Sequence, residues 1–376
     1  MFQSGSPVKG KDFIDRKKHL PLFKAYLDNN QHIMIKAPRR FGKTSLIKQL
    51  FDYEKNYPYI YIDIRLNHSL ESLSKQILDK AYEFVKIKNF VRQTTESLYS
   101  LIQSVKTISI PDIGEISIDM IVKKSEPIEL FIHALDTVNK IALEKGINIK
   151  LIFDEFQDIT NLTDKHILEV LRSVAQHHEN VTYIFLGSIE SIMTEIFENK
   201  SSPFFHFANV IKLNGLDIEE LFAYTQEQFD EKNIKYDKEM LYKTIVFLQG
   251  HPEYSAKVLQ TLYINANLEN KPIDKESCIE ALNFRIIENR VYMDELISKL
   301  KTKKYHFEVV YNIANNIKSN LPSATLYNTH VSLENMGIIQ KVDRGKFEIV
   351  DIFLKIFLQQ HDDEMVSLDG KLHLEL

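Results

Sequence analysis

The sequence predicts an α/β fold: a mostly parallel sheet with helices on both faces, followed by a helical domain and a terminal unit of helices and a hairpin. Three observations predict it. Up to residue 217, short apolar runs alternate with stretches of helical periodicity, the pattern of strands joined by crossover helices. Beyond Asp217 the strand signal stops and helical periodicity continues to about residue 301. From about Thr302, two helical stretches precede two short strands around Asp343, Arg344 and Gly345, an order that fits a winged helix. The expected domains are therefore 1–217, 218–301 and 302–361, with a loosely held tail over 362–376.

Each element has its own signal. Residues 32–38 are an apolar run ending in Pro38, and the next stretch carries apolar residues at helical spacing from Leu46 to Phe51, which reads strand, loop, helix. Residues 57–65 alternate and are rich in Tyr and Ile, as a strand should be, and an amphipathic helix over 70–85 follows. Residues 107–122 read as two strands around Asp112, Ile113 and Gly114, a hairpin inserted in the first domain. A helix then closes on Gly146, a C-cap signal, and residues 147–156 form a near-continuous apolar strand of the kind buried on both faces. A helix around 164–177 leads to a fourth strand at 181–188, and 208–216 gives the fifth.

Composition sets bounds. The 376 residues exceed one compact domain, and 47 Lys and Arg against 52 Asp and Glu leave a net charge of -5, so no global basic field advertises nucleic acid. With 11 Gly and 10 Pro, collagenous and low-complexity classes are excluded. The single cysteine, Cys278, cannot form an internal disulfide, and no signal-peptide or membrane-spanning run is found, so a reducing cytoplasm is the expected compartment.

The chemistry concentrates at three strand ends. Ala37-Pro38-Arg39-Arg40-Phe41-Gly42-Lys43-Thr44 lies between a strand and a helix with the spacing of a phosphate-binding loop, except that Ala37 stands at the first glycine position. Backbone amides of Gly42, Lys43 and Thr44 would wrap a β-phosphate, Lys43 would reach the β and γ oxygens, and the Thr44 hydroxyl would hold Mg²⁺. Asp154 and Glu155 end a buried strand at the edge where ligands sit in open α/β sheets. Asp154 suits the Mg²⁺ water shell, and Glu155 suits orientation or deprotonation of an attacking water. Ser188, ending the next strand, is placed to meet the γ-phosphate or that water, although Gly187-Ser188 is equally ordinary turn chemistry.

Together these residues make the chain resemble the archaeal-type ATPase family of the P-loop NTPase, AAA+ and STAND superfamily, relatives of the origin-recognition initiator ATPases. The resemblance spans about residues 8–360. An entry motif F-[VI]-[GD]-R-x-x-x-L is matched by Phe13-Ile14-Asp15-Arg16-Lys17-Lys18-His19-Leu20, which implies Val8 and Phe13 as the adenine-side wall and Arg16 as a nucleotide contact. The signature D-E-F-Q is matched by Asp154-Glu155-Phe156-Gln157, and Gly250-His251-Pro252 resembles the G-x-P turn of a helical lid, which implies His251 and Pro252 at the nucleotide. The remaining loop residues, Pro38, Arg39, Arg40, Phe41 and Ser45, are implied as nucleotide contacts in the same way. One departure is that the family pattern S-P-x-[YF]-G-R carries an arginine where this chain has Phe207. The other is that no nuclease-like domain follows the expected winged helix.

The expected activity is ATP hydrolysis to ADP and phosphate, slow because of Phe207, with nucleotide state controlling lid and winged-helix position. The alternative is a DNA-binding regulator or replication-type initiator with a mainly structural nucleotide. Lys341, Arg344 and Lys346 in the wing could meet nucleic-acid phosphates, while such domains also serve protein contacts alone. Oligomeric state and biological process have no signal in the sequence.

Overall fold

The structure, a computed structural model, describes residues 2, 5–14, 16, 19–53, 57–87, 126–163, 166–269 and 271–359. The hairpin expected at 107–122 and the tail at 362–376 lie outside them, as do Asp15, Lys17 and Lys18.

The first part is built on five parallel strands: β1 (Ile33–Lys36), β2 (Tyr59–Asp63), β3 (Ile149–Asp154), β4 (Val181–Gly187) and β5 (Asn209–Lys212), in the spatial order β2-β3-β4-β1-β5. Every residue of β3 and β4 is buried, which is why their sequences are apolar without alternation. Edge strand β2 alternates instead, with Ile60 and Ile62 inside and the tyrosines half-buried. Strand parity divides the core between two faces. Met34, Leu151, Phe153 and Phe185 pack under helices α3 (Leu70–Ile87), α4 (Pro127–Lys145), α5 (Ile167–Ala175) and α6 (Glu190–Glu198). Ile33, Ile35, Ile152 and Ile184 pack under α1 (His19–Asp28) and α2 (Lys43–Lys48). The end of α4 follows its sequence signal, with Gly146 left-handed at φ 61 and Ile147 N–H donating to Ala142 O at 3.1 Å.

The fifth strand is shorter than expected, four residues rather than nine. Leu213 N–H still reaches Lys36 O, but beyond it the chain is drawn off the sheet: Asn214 O accepts from Arg16, and Leu216 N–H donates to Gly250 O at 2.8 Å. Gly215 lies so close to the Gln249 carbonyl that a Cβ would come within 2.7 Å of it.

From Asp217, whose carboxylate caps α7 (Ile218–Asp230), the chain is helical: α8 (Lys238–Phe247), α9 (Pro252–Glu269), α10 (Lys275–Glu288) and α11 (Arg290–Thr302). Next come α12 (His306–Ala314), α13 (Ser323–Asn335), the antiparallel pair β6 (Ile339–Asp343) and β7 (Lys346–Ile349), and α14 (Ile352–Gln359). One continuous apolar cluster, from Leu221 to Leu358 and including Phe2, holds all of these together. Among the described residues no helix is long and apolar enough to cross a membrane.

Candidate nucleotide site

The loop after β1 explains its own departure from the glycine pattern. Ala37 N–H donates to Gly187 O at 3.2 Å, so the residue extends the ladder to β4 and has no positive φ. The left-handed turns come later, at Arg40 (φ 68) and Gly42 (φ 84). Such residues between right-handed ones curl the backbone into an amide-lined concavity at the start of α2. The Lys43 ammonium folds back over the loop and donates to Ala37 O at 2.8 Å and Pro38 O at 3.0 Å. Burial pushes its pKa down to about 8, against the pull of Glu155 and Asp154.

Asp154 and Glu155 are neighbours with opposite environments. Asp154 is buried; its Oδ1 accepts from Glu155 N–H at 2.8 Å and its Oδ2 from the Tyr61 hydroxyl. Burial raises its pKa, although the Tyr61 hydrogen bond opposes this. Glu155 is left-handed at φ 52, and its Oε2 accepts from Ser188 Oγ at 2.5 Å, Gln157 Nε2 at 2.5 Å and Arg65 Nη2 at 3.1 Å. Burial works to raise Glu155, but the Ser188 and Gln157 hydrogen bonds and the Lys43 and Arg65 charges outweigh it and hold the carboxyl below its ordinary value. Tyr61, Arg65 and the tether from Gln157 were not assigned from sequence. For Tyr61 the alternation of β2 fixes the face, but only the sheet order brings that face beside Asp154.

On the other side of the loop, Val8, Phe13, Phe41, Gly42, Ser45 and Pro252 line an apolar cleft together with Phe2, Leu221 and Tyr224. The N-terminal segment is pinned there by Val8 N–H to Ser45 Oγ (3.2 Å) and Gly10 N–H to Gln49 Oε1 (2.8 Å). Phe2, Asp12 and Tyr224, whose hydroxyl donates to Asp12 at 2.6 Å, are wall residues without a motif. Arg16 is buried, and its Nη2 donates to Phe41 O at 3.1 Å and Asn214 O at 2.9 Å, so it braces the loop against the end of β5.

His251 stands apart from Pro252. It lines a second cleft with Pro38, Arg39, Arg40 and Ser188, closed on its far side by α11, β6 and the start of α14. Lys341 lines that cleft too, whereas Arg344 and Lys346, both exposed at the hairpin turn, do not. Phe207 packs at 4.4 Å on His32, just before β1, with the Arg172 guanidinium over its ring. That is the end of β1 opposite the loop that leads into α2, so residue 207 lies away from the candidate nucleotide site.

The Walker-type ATPase of Pyrococcus abyssi superimposes over 95% of this chain and 99% of its own with a TM-score of 0.69 at 16% identity. The ORC2 protein of Aeropyrum pernix, solved as ADPNP–ADP complexes, aligns over 94% of this chain and 95% of its own with a TM-score of 0.51 at 12% identity. At such identities these likenesses show a shared fold. No curated protein matches the chain. A family model describing an ATPase domain predominantly from Archaea matches residues 13–258, from the entry segment through the turn at Pro252 and into α9. With that match covering more than half of the chain and the loop, carboxylates and sheet order in place, the chain belongs to this archaeal ATPase family, ATP-binding P-loop proteins of the AAA+ class.

Proposed function

We propose that the chain is an ATP-driven switch with slow Mg²⁺-dependent hydrolysis, in which the nucleotide state sets the position of a helical lid (218–301) and a winged helix (302–361). Lys43 and the loop amides hold the phosphates, and Val8, Phe13 and Pro252 wall the purine. The Thr44 hydroxyl and the Asp154 carboxylate offer oxygen donors that suit a hard divalent cation. Bound Mg²⁺ supplies neutralisation of charge on the β- and γ-phosphates. Glu155 takes the proton of the water that attacks the γ-phosphorus as the bond to the bridging oxygen breaks, leaving ADP and phosphate. Slowness is supported by the state of Glu155: a carboxylate held below its ordinary value by two hydrogen bonds and two cations is a weak base.

The observation that carries the switch is a continuous stack from the phosphate loop to the last helix. Phe41 meets His251 edge-on at 4.9 Å, His251 stacks on Tyr254 at 4.1 Å, and Tyr254 stacks on Phe353 of α14 at 3.8 Å. Alongside it Arg40 pairs with Glu253 at 3.1 Å. The Tyr254 hydroxyl donates at 2.7 Å to Asp351, whose other oxygen caps α14 through Phe353 and Leu354 N–H. Packed aromatic faces do not slide independently, so a loop reshaped by a triphosphate biases the seat of α14. Hydrogen exchange of the amides over 352–359 is expected to differ between the ATP-analogue, ADP and nucleotide-free states, and Tyr254→Leu to erase the difference while nucleotide still binds. Identical exchange in all three states favours the alternative, a nucleotide with a structural role only.

A further inference from the structure

Strand β2 carries Tyr59 and Tyr61 on the face that looks toward α2, because residues two apart share a face. Their hydroxyls have different destinations. Tyr59 donates to Asp52, in the turn that follows α2, whereas Tyr61 donates to Asp154 Oδ2 on the neighbouring strand. Tyr61 therefore touches the carboxylate whose oxygens suit the cation. Among the described residues Asp154 is otherwise held only at Oδ1, by the Glu155 amide. A carboxylate fixed through one oxygen still turns about its Cβ–Cγ bond, and the second contact removes that freedom. Each carboxylate oxygen has a further lone pair, so both contacts leave acceptor capacity for the water shell of a cation.

We infer that Tyr61 is a positioning residue for divalent-cation binding: its hydroxyl locks the Asp154 carboxylate in place and so couples Mg²⁺ to nucleotide binding. The inference rests on the Mg²⁺–nucleotide reading above and extends it to a residue outside the motifs. It acts through Asp154 and not on the phosphates, so its signature is a loss confined to the metal-dependent part of the affinity. Outer partners of metal-binding groups are typically worth about 10- to 100-fold in metal affinity.

The test is calorimetric titration of ADP with and without Mg²⁺ into wild type, Tyr61→Phe and Tyr59→Phe, all of which keep the aromatic ring that packs against the sheet. Tyr61→Phe is expected to lower the gain in ADP affinity conferred by Mg²⁺ by about 10-fold or more, leaving metal-free affinity unchanged, and Tyr59→Phe to move neither. An equal loss with and without Mg²⁺, an unchanged Mg²⁺ gain, or a larger gain, as for a hydroxyl that the cation must displace, overturns the assignment. Wild-type protein that binds ADP with no dependence on Mg²⁺ removes the underlying reading, and the inference with it.

Discussion

Two lysines lie buried at opposite ends of the sheet, and burial lowers both to about 8, yet they differ in every partner. Lys150, near the start of β3, donates to Leu27 O at 2.9 Å, Asn30 Oδ1 at 2.8 Å, Asn148 Oδ1 at 2.8 Å and Thr182 Oγ1 at 3.3 Å. These are neutral groups supplied by the end of α1, the approach to β3 and the start of β4, and they close a shell that ties α1 to the sheet. Lys43 donates to two carbonyls of its own loop and lies in the field of Asp154 and Glu155. Loop carbonyls are easily exchanged for phosphate oxygens. A similar proton affinity thus accompanies a structural cross-link at one end and, in the proposed reading, a phosphate-binding cation at the other, and the partners, not the shift, separate the two.

The sharpest way to break that contrast is to remove each ammonium in turn. Both folded-state values lie below the lysine value of 10.5. The unfolded chain therefore binds more protons between pH 8 and 10.5; stability rises with pH across that window, and the burial cost is fully present below it. At neutral pH that cost for Lys43 is about 3 kcal/mol. Lys43→Met is therefore expected to leave the nucleotide-free protein as stable or more so while abolishing nucleotide binding. Lys150→Met relieves a similar cost but orphans its acceptors, each worth about 1–3 kcal/mol, for a net loss of about 2 kcal/mol with nucleotide affinity intact. Urea denaturation and calorimetry on the two variants decide it, and a Lys43→Met protein that loses as much stability as Lys150→Met collapses the distinction.

A smaller effect probes whether the carboxylate at the loop edge is as exchangeable as Lys43. Glu155 is held below its ordinary value by Ser188 and Gln157 first, then by Lys43 and Arg65. Removing a lowering partner raises the pKa, so the acid limb of the kcat/KM profile should move to higher pH, further in Ser188→Ala than in Arg65→Ala. Glu155→Gln should abolish the limb and slow hydrolysis by about 10²- to 10⁴-fold with ATP still bound. A limb that stays in place in both shell variants assigns it to another group.

What the sequence could and could not carry follows the same division. The apolar runs located β1, β3 and β4 because burial on both faces leaves a compositional trace, β2 showed itself by alternation, and the Gly146 cap was visible for an equally local reason. The phosphate loop and Asp154-Glu155 were legible as spaced residues, and the structure brings Lys43, Thr44, Asp154, Glu155 and Ser188 to one edge of the sheet. Lys150 was hidden inside a run that reads as apolar, since its four acceptors are assembled only by folding. Tyr61 and Arg65 depend on β2 lying beside β3, a property of sheet order that no single segment encodes. His251 and Pro252 adjoin in sequence and so read as one contact, yet consecutive residues at a helix start diverge, and the two line different clefts.

The smallest expected effect sits on the boundary between the two kinds of site. Ala37 belongs to the phosphate loop by spacing, but its ladder bond to Gly187 and its ordinary φ place it with the fixed scaffold. Ala37→Gly, which restores the usual motif, should leave nucleotide affinity unchanged and lower stability by about 0.5–1 kcal/mol, because glycine there adds freedom to the unfolded chain without relieving any strain. Gly42 is the counter-case within the same loop. At φ 84, with no atom within 4 Å of the place a Cβ would take, its constraint is purely one of backbone conformation. Gly42→Ala should cost about 1–2 kcal/mol and weaken nucleotide binding, since an L-residue resists the left-handed turn that aims the amides. A tighter-binding Ala37→Gly variant would instead mean that nucleotide flips residue 37 out of the ladder, and the loop would then belong to the exchangeable edge along its whole length.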